Sequence, residues 1–202
     1  MQDPRSEEVV PSIDEVDLAR AREYSLLSGL LLRSPDARML GQLAHLRGDG
    51  SPLGIAHAAL AAAAAHTDAK RAAREHFTLF VGLGRGELLP YASYYLTGFL
   101  HGRPLASVRQ VLQRIGVERV DGQAEPEDHA AILLEVMAGL ADGAIAAPAG
   151  TGREIFDQHL APWIGRFFAD LENAVSADFY SRVGMLGLTF IGLETQAFLL
   201  PQ

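Results

Sequence analysis

The sequence predicts an all-α fold, a single compact multi-helix domain, from three observations. Apolar residues recur at helical spacing in several segments, prolines and glycines stand where helices begin and end, and no segment shows the alternation of a β-strand. The chain has 202 residues, of which 49% are hydrophobic. This length is enough for one domain with a substantial core and too short for two ordinary ones.

The N-terminal part begins with a polar segment, residues 1–14 (MQDPRSEEVVPSID), which we expect to be a mobile tail before a helical domain over residues 15–202. Ser34-Pro35 and Ser51-Pro52 are typical of helix starts. Pro needs no amide partner at the first helical position, and a Ser oxygen accepts from a free amide. The Ala-rich segment 53–81 favours helix strongly.

Three later segments also have helical patterns. Residues 104–115, after Arg103-Pro104, have one apolar face, and residues 127–141, after Glu125-Pro126, have another. Residues 177–199 are apolar nearly all round, which indicates a central buried helix. The two apolar faces comprise Leu105, Val108, Val111, Leu112 and Ile115, and Ile132, Leu133, Val136, Met137 and Leu140.

Two loops divide this helical pattern. Val81 to Tyr91 (VGLGRGELLPY) and Asp142 to Gly152 (DGAIAAPAGTG) are rich in Gly, with Pro in each. We expect an N-terminal and a C-terminal helical part that share one core, joined by a loop that acts as a hinge. Such a connector permits exchange of one part between protomers, so both a monomer and a domain-exchanged homodimer are expected states.

Composition excludes several classes of function. The net charge of −8 disfavours nucleic acid and anionic membranes as partners and weakly favours a basic one. There is no Cys and no His-x-x-x-His pair, so we expect no metal and no cofactor. No signal peptide and no apolar run long enough to span a membrane is present, which predicts a cytoplasmic protein without membrane insertion.

The run Gly82-Leu83-Gly84-Arg85-Gly86 is a weak candidate for phosphate binding. A phosphate loop ends in Lys followed by Ser or Thr, and a dinucleotide loop follows a strand. Here Glu87 follows and a helix precedes. A helix end with chain reversal is the favoured interpretation. A nucleotide-hydrolysing enzyme using this loop remains an alternative hypothesis.

The segment Glu125-Pro126-Glu127-Asp128-His129 is interpreted first as a helix start. Pro126 would occupy the first helical position, and the acids in the first turn would meet the positive end of the helix dipole. Asp128 and His129 would then point about 100° apart on the helix, too far to act as an acid–base pair. No nucleophile motif surrounds Ser93 or Ser107 either, so we expect a protein that is not an enzyme.

Several of these segments together resemble the TorD/DmsD/NarJ family of redox-enzyme maturation chaperones, over roughly residues 15–200. The segments are residues 75–96 (EHFTLFVGLGRGELLPYASYYL), 103–106 (RPLA), 125–129 (EPEDH) and 159–163 (HLAPW), with Phe167 after the last. The resemblance implies a TorD-like helical fold and a cytoplasmic chaperone. It would bind the twin-arginine signal peptide and the apo catalytic subunit of a molybdopterin-dependent oxidoreductase until the cofactor is inserted.

The resemblance also implies which residues bind the peptide. The family's aromatic-x-x-Leu-Phe element falls on His76, Leu79 and Phe80, its Pro-aromatic pair on Pro90 and Tyr91, and its Asp-His pair on Asp128 and His129. His76 departs from the family, which usually has Trp or Tyr there. For the two guanidiniums of a signal peptide we expect carboxylates beside the apolar groove, supplied by Glu87, Glu125, Glu127 and Asp128.

Other functions remain open at this point. A NarJ-like assembly factor would bind the N-terminus of a client that is not exported. A plain helical interaction domain would have no redox link. Clients acting on formate, nitrate, sulfoxides or amine oxides all agree with the resemblance.

Overall fold

The computed structural model describes residues 14–119 and 124–200. The expected tail therefore lies outside the described residues except for Asp14. Ten α-helices and two π-helical turns follow one another within the described ranges. They are α1 (Glu15–Leu32), α2 (Ala37–Leu43), α3 (Pro52–His66), α4 (Ala69–His76), the first π turn (Phe77–Val81), α5 (Ala92–Thr97), α6 (Arg103–Arg114), α7 (Ala130–Ala141), α8 (Thr151–Ile155), the second π turn (Phe156–Leu160), α9 (Ile164–Glu172) and α10 (Phe179–Leu199).

The all-α prediction is confirmed for the described residues, in which no β-strand occurs. Of the two predicted Ser-Pro helix starts, Ser51-Pro52 is observed, whereas α2 begins at Ala37 with Asp36 in place of Ser34 as its N-cap. Asp14 caps α1 by accepting a hydrogen bond from the Asp17 amide at 2.7 Å. Ser51 caps α3 through the Gly54 amide at 3.0 Å, with Pro52 in the first turn.

Helix α10 is the centre of the packing, as the apolar pattern of residues 177–199 predicts. It contacts α9, α3, α4 and α1, while α1 also packs along α7. Two glycines allow α9 to approach closely: a Cβ on Gly184 would lie 2.4 Å from the Glu172 nitrogen, and one on Gly187 would lie 2.3 Å from the Phe168 ring. The buried core includes residues of both the N-terminal and the C-terminal helices.

A polar cluster fixes the end of α10 to the start of α1. The guanidinium of Arg20 donates from Nε and Nη2 to the carboxylate of Glu194, at 2.9 and 2.8 Å. The Tyr24 hydroxyl donates to the same carboxylate at 2.6 Å. Because Glu194 is buried, these charge-assisted bonds replace its lost hydration. No helix in the described ranges has the length and apolar character needed to cross a membrane.

The prediction that a helix starts at Pro126 is wrong. Helix α7 begins at Ala130 with His129 as its N-cap, so Glu127 and Asp128 precede the helix instead of lying in its first turn. The reason is a pair of backbone hydrogen bonds with a distant loop, which hold His129 extended and pair it with Tyr91 as an isolated antiparallel bridge. In the Gly-rich loop, Gly82 ends the first π turn with φ of +63°, a conformation that favours glycine.

Candidate functional site

The centre of the candidate site is the junction between residues 90–93 and residues 128–130. The Ala92 amide donates to the Asp128 carbonyl at 2.9 Å, and the Ala130 amide donates to the Pro90 carbonyl at 2.8 Å. These bonds pair Tyr91 with His129 and connect the start of α5 to the start of α7. The structure thus brings together Pro90, Tyr91, Asp128 and His129, which the sequence placed in two separate motifs.

Asp128 stabilises the start of α5 from outside that helix. Its side chain is fully buried, and its Oδ2 accepts a hydrogen bond from the Ser93 amide at 2.9 Å. Tyr91, the residue at the N-cap of α5, provides no side-chain acceptor of its own. The carboxylate therefore satisfies a free amide and meets the positive end of the α5 dipole. Its buried Oδ1 accepts no hydrogen bond from the described residues.

His129 caps α7 in its neutral form. Its Nδ1 accepts a hydrogen bond from the Ala131 amide at 3.1 Å, which requires that nitrogen to be unprotonated. The Tyr91 ring packs edge-on against the imidazole, with centroids 5.1 Å apart. Burial lowers the pKa of His129 to about 4, despite the nearby carboxylates of Glu125 and Asp128, which act in the opposite direction.

The carboxylates of Glu125 and Glu127 both have partners within the protein. The Tyr91 hydroxyl donates to Glu125 Oε2 at 2.5 Å, and burial together with this bond raises the pKa of Tyr91. Glu127 forms an ion pair with Arg109 at 2.9 Å. Glu125 therefore belongs to the junction, whereas Glu127 connects the junction to α6.

Glu87 is engaged elsewhere. Its carboxylate accepts from the amides of Val175 and Ser176, at 2.7 and 3.2 Å, in the connection between α9 and α10. Hydrogen bonding by the Ser176 side chain and by these amides lowers the pKa of Glu87. The structure therefore does not bring Glu87 together with the other three carboxylates expected to bind a peptide.

His76, Leu79 and Phe80 lie at the end of α4 and in the first π turn. Leu79 is fully buried in the core, and His76 Nε2 lies 3.2 Å from the Leu31 carbonyl oxygen. The rings of His76, Phe80 and Tyr180 are in mutual contact, with centroids 5.0 to 5.7 Å apart. Burial lowers the pKa of His76. His76 thus occupies the usual aromatic position as a half-buried ring packed on two other rings.

A cleft of about 590 Å³ opens between α6 and α7. Its apolar floor includes Leu112, Val117, Ile132, Val136 and Ile145, and its polar lining includes Glu118, Glu127, Glu135, Arg109, Gln113 and Arg119. We call it the acidic cleft. Of the residues predicted for the site, Glu127 lines it.

Sequence reasoning missed two carboxylates of the acidic cleft, Glu118 and Glu135, which are exposed and form no ion pair with a described cation. Glu135 could have been found, because it is the one charged residue in the apolar segment AAILLEVMAGLA. In the described ranges, including this cleft, no group of three or more His, Asp or Glu side chains is arranged to hold a metal ion.

Comparison with known proteins identifies the family. The family model described as nitrate reductase delta subunit matches residues 48–169, more than half of the chain. The chaperone protein TorD of Vibrio cholerae is 33% identical over 122 residues, which are 56% of each chain. TorD of Vibrio atlanticus is 26% identical over 128 residues, 58% of this chain and 60% of the relative. The chain thus spans little more than half the length of these curated relatives.

A solved structure supports the fold assignment. The structure of a candidate redox enzyme maturation protein from Archaeoglobus fulgidus superposes with a TM-score of 0.59 over 86% of this chain and 93% of the other, at 18% identity. The curated relatives are named as chaperones, in agreement with the expectation of a protein that is not an enzyme. The chain belongs to the nitrate reductase delta subunit family, that of the TorD/DmsD/NarJ redox-enzyme maturation chaperones.

Proposed function

We propose that this chain is a cytoplasmic chaperone for a molybdenum-dependent oxidoreductase. It binds the twin-arginine signal peptide of the catalytic subunit and holds the apo-subunit until the cofactor is inserted and export can proceed. Membership of the family and the named chaperone relatives support this role. The single observation that supports binding of the signal peptide is the acidic cleft.

The acidic cleft has the chemistry that a signal peptide requires. Such a peptide presents two guanidiniums followed by an apolar segment, and the cleft combines exposed carboxylates with an apolar floor. Glu118 and Glu135 are available for planar, two-point contacts with guanidinium groups. Glu127 already neutralises Arg109, so this arginine adds little repulsion against an incoming cation.

The junction residues have a supporting role in this proposal. Asp128 and His129 are buried and bonded to the starts of α5 and α7, and Glu125 is bonded to Tyr91. They hold the segment that brings Glu127 to the acidic cleft. Direct peptide contact by His76, Leu79, Phe80, Pro90 and Tyr91 stays a prediction of the resemblance, and contact by Glu87 stays a prediction from its charge.

Titration calorimetry with the signal peptide of the molybdoenzyme encoded beside this chain's gene tests the proposal. We expect binding that weakens strongly when both arginines of the peptide are replaced by glutamine. Glu118→Gln and Glu135→Gln should each weaken binding by about tenfold, since each removes a charge-assisted contact. Glu15→Gln, an exposed acid on α1, is the matched control and should have no effect.

Two results together would refute the proposal. They are no binding of the signal peptide and normal cofactor loading of the client in a strain that lacks the chaperone. Binding that is equally tight in both Gln variants would remove the acidic cleft from the proposal while leaving the chaperone role intact.

A second candidate function is favoured by the description of the matching family, nitrate reductase delta subunit. In this case the client is not exported, and the bound segment is its N-terminus without twin arginines. The client's N-terminal peptide would then bind with an affinity that does not depend on paired arginines.

A further inference from the structure

A second surface of the molecule has the opposite charge. It is formed by α5, the loop after it, and neighbouring arginines from the Gly-rich loop, α6 and α9. We call this surface the cationic face. It consists of Arg85, Tyr94, Tyr95, Leu96, Phe99, Leu100, Arg103 and Arg166. Phe99 is 78% exposed, and Leu96 and Leu100 are each 43% exposed, so the surface is apolar as well as charged.

Aromatic rings hold two of its arginines. Arg85 donates to the Tyr94 hydroxyl at 2.8 Å and lies 5.2 Å from the centre of that ring. Arg166 lies 5.7 Å from the centre of the Tyr95 ring. Arg103 has no hydrogen-bond or ion-pair partner among the described residues. By contrast, Arg20, Arg109, Arg114 and Arg153 each pair with a carboxylate.

The positive charge of the cationic face is therefore largely uncompensated. One carboxylate, Asp170, reaches it and accepts a hydrogen bond from the Tyr95 hydroxyl at 2.8 Å. A stacked arginine keeps its charge and its remaining N–H donors available to a ligand.

A small cavity at the edge of this face has room for one apolar side chain. It measures about 220 Å³ and lies between α5, α6 and the second π turn. Its lining includes Leu96, Pro104 and Val108, with Arg103 also contributing. Its volume is below the roughly 300–1,000 Å³ of small-molecule sites, which favours a side chain of a partner over a free ligand.

We propose that the cationic face docks an amphipathic segment of a partner protein, in which acidic side chains flank a large apolar residue. The apolar residue enters the cavity beside Leu96, and the acidic residues pair with Arg103 and Arg166. The inference rests on charge complementarity and does not depend on the proposed function. A twin-arginine segment has the wrong charge for this surface.

Anionic polymers and lipid surfaces fit the same face less well. Their extended negative charge would be repelled by the acidic remainder of the chain. Neither offers a single apolar group placed between anionic groups at the spacing of a helix face. The cavity beside Arg103 suits a helical segment of that pattern.

Fluorescence anisotropy with the 202-residue chain tests the proposal. The probe is a labelled helical peptide of about 16 residues. It carries Leu residues along one helical face, with Glu residues on both sides of that face. We expect Phe99→Asp and Arg103→Glu each to weaken binding by about tenfold. Ile55→Asp on α3 and Arg38→Glu on α2 are the matched controls. They make the same types of change at other exposed positions and should leave binding unchanged. Circular dichroism verifies that all four variants are folded.

A charge swap completes the experiment. In a chain that also carries Glu118→Gln and Glu135→Gln, which removes the free carboxylates of the acidic cleft, the same peptide with Lys in place of Glu should bind at least tenfold more weakly. It should recover affinity when Arg103→Glu is added. The proposal is overturned if the acidic peptide does not bind, if the Lys peptide binds as tightly, or if the control variants weaken binding equally. Phosphatidylglycerol vesicles that bind this face and are not displaced by the peptide would assign it to lipid instead.

Discussion

The acidic cleft and the cationic face differ in how they present charge. In the cleft, Glu118 and Glu135 stand exposed beside an apolar floor between α6 and α7. On the cationic face, Arg85 and Arg166 lie against tyrosine rings beside exposed Phe99. The net charge of −8 describes neither surface. The negative charge of the whole chain favours a basic partner. The charge of each surface, however, depends on which of its charged side chains are paired within the protein.

The junction of residues 125–129 with residues 90–93 connects the two surfaces. Glu127 extends into the acidic cleft, and Asp128 binds the start of α5, which carries Tyr94, Tyr95 and Leu96. A disturbance of the junction should therefore affect both surfaces, whereas a change on either surface should affect that surface alone.

The largest effect is expected from reversing charge in the acidic cleft. Glu118→Lys combined with Glu135→Lys should weaken twin-arginine peptide binding by about 3 kcal/mol, or more than a hundredfold, because two attractive contacts become repulsive. Binding of the acidic peptide to the cationic face should not change. Calorimetry with both peptides measures the two affinities. An equal loss for both peptides would show that the two surfaces are not independent.

The next largest effect is expected from acid, which should destabilise the chain by protonating His129 at the junction. The pKa of His129 is about 4 in the folded chain, below its usual value of 6.5, so the unfolded chain binds the proton first as the pH falls. The stabilisation from neutral His129 is complete above pH 6.5 and is lost as the pH falls towards 4. We expect the free energy of unfolding to decrease by about 2 kcal/mol across this range.

Urea unfolding at several pH values measures this loss. His129→Asn keeps an N-cap acceptor that does not titrate, and it should flatten the pH dependence. Burial also lowers the pKa values of His76 and His159, so a smaller slope of the same sign should remain in this variant. An unchanged slope would exclude His129 as the main source of the acid sensitivity.

Asp128→Ala should destabilise the chain by about 1.5 kcal/mol, because the Ser93 amide loses its acceptor and α5 loses the charge at its start. Asp128→Asn keeps an acceptor oxygen and should cost less. The midpoint of urea unfolding measures both. If Asp128→Ala keeps the wild-type midpoint but no longer binds the signal peptide, Asp128 contacts the peptide directly, as the family resemblance implies.

The helices could be predicted from the sequence because their signals are local. The apolar faces in residues 104–115 and 127–141 and the apolar segment 177–199 each depend on spacing within one element, and α6, α7 and α10 are observed there. The helix start at Pro126 was wrong because hydrogen bonds to residues 90–92, more than 30 positions away, determine the backbone of residues 128 and 129.

The sequence identified the motifs of the candidate site, but it did not predict how their residues contact one another. The resemblance identified Tyr91, Asp128 and His129, which lie together, but spacing alone could not show that Asp128 is buried against α5. The cationic face left no pattern in the sequence, because Arg85, Arg103 and Arg166 lie near α5 only through its packing with three different segments of the chain. Long-range contacts therefore determine which charged residues remain available for a partner.

The smallest effect is expected from Tyr91→Phe, which removes the hydroxyl that donates to Glu125 and keeps the ring against His129. We expect a loss of about 1 kcal/mol in the free energy of unfolding, the typical contribution of one such hydrogen bond. Thermal unfolding followed by circular dichroism measures it, and Tyr94→Phe, whose hydroxyl accepts only from the exposed Arg85, should cost less. If Glu125 is freed to bind a guanidinium, the same variant should bind the signal peptide more tightly than the wild type. Weaker binding would instead mean that the junction must stay rigid for the acidic cleft to function.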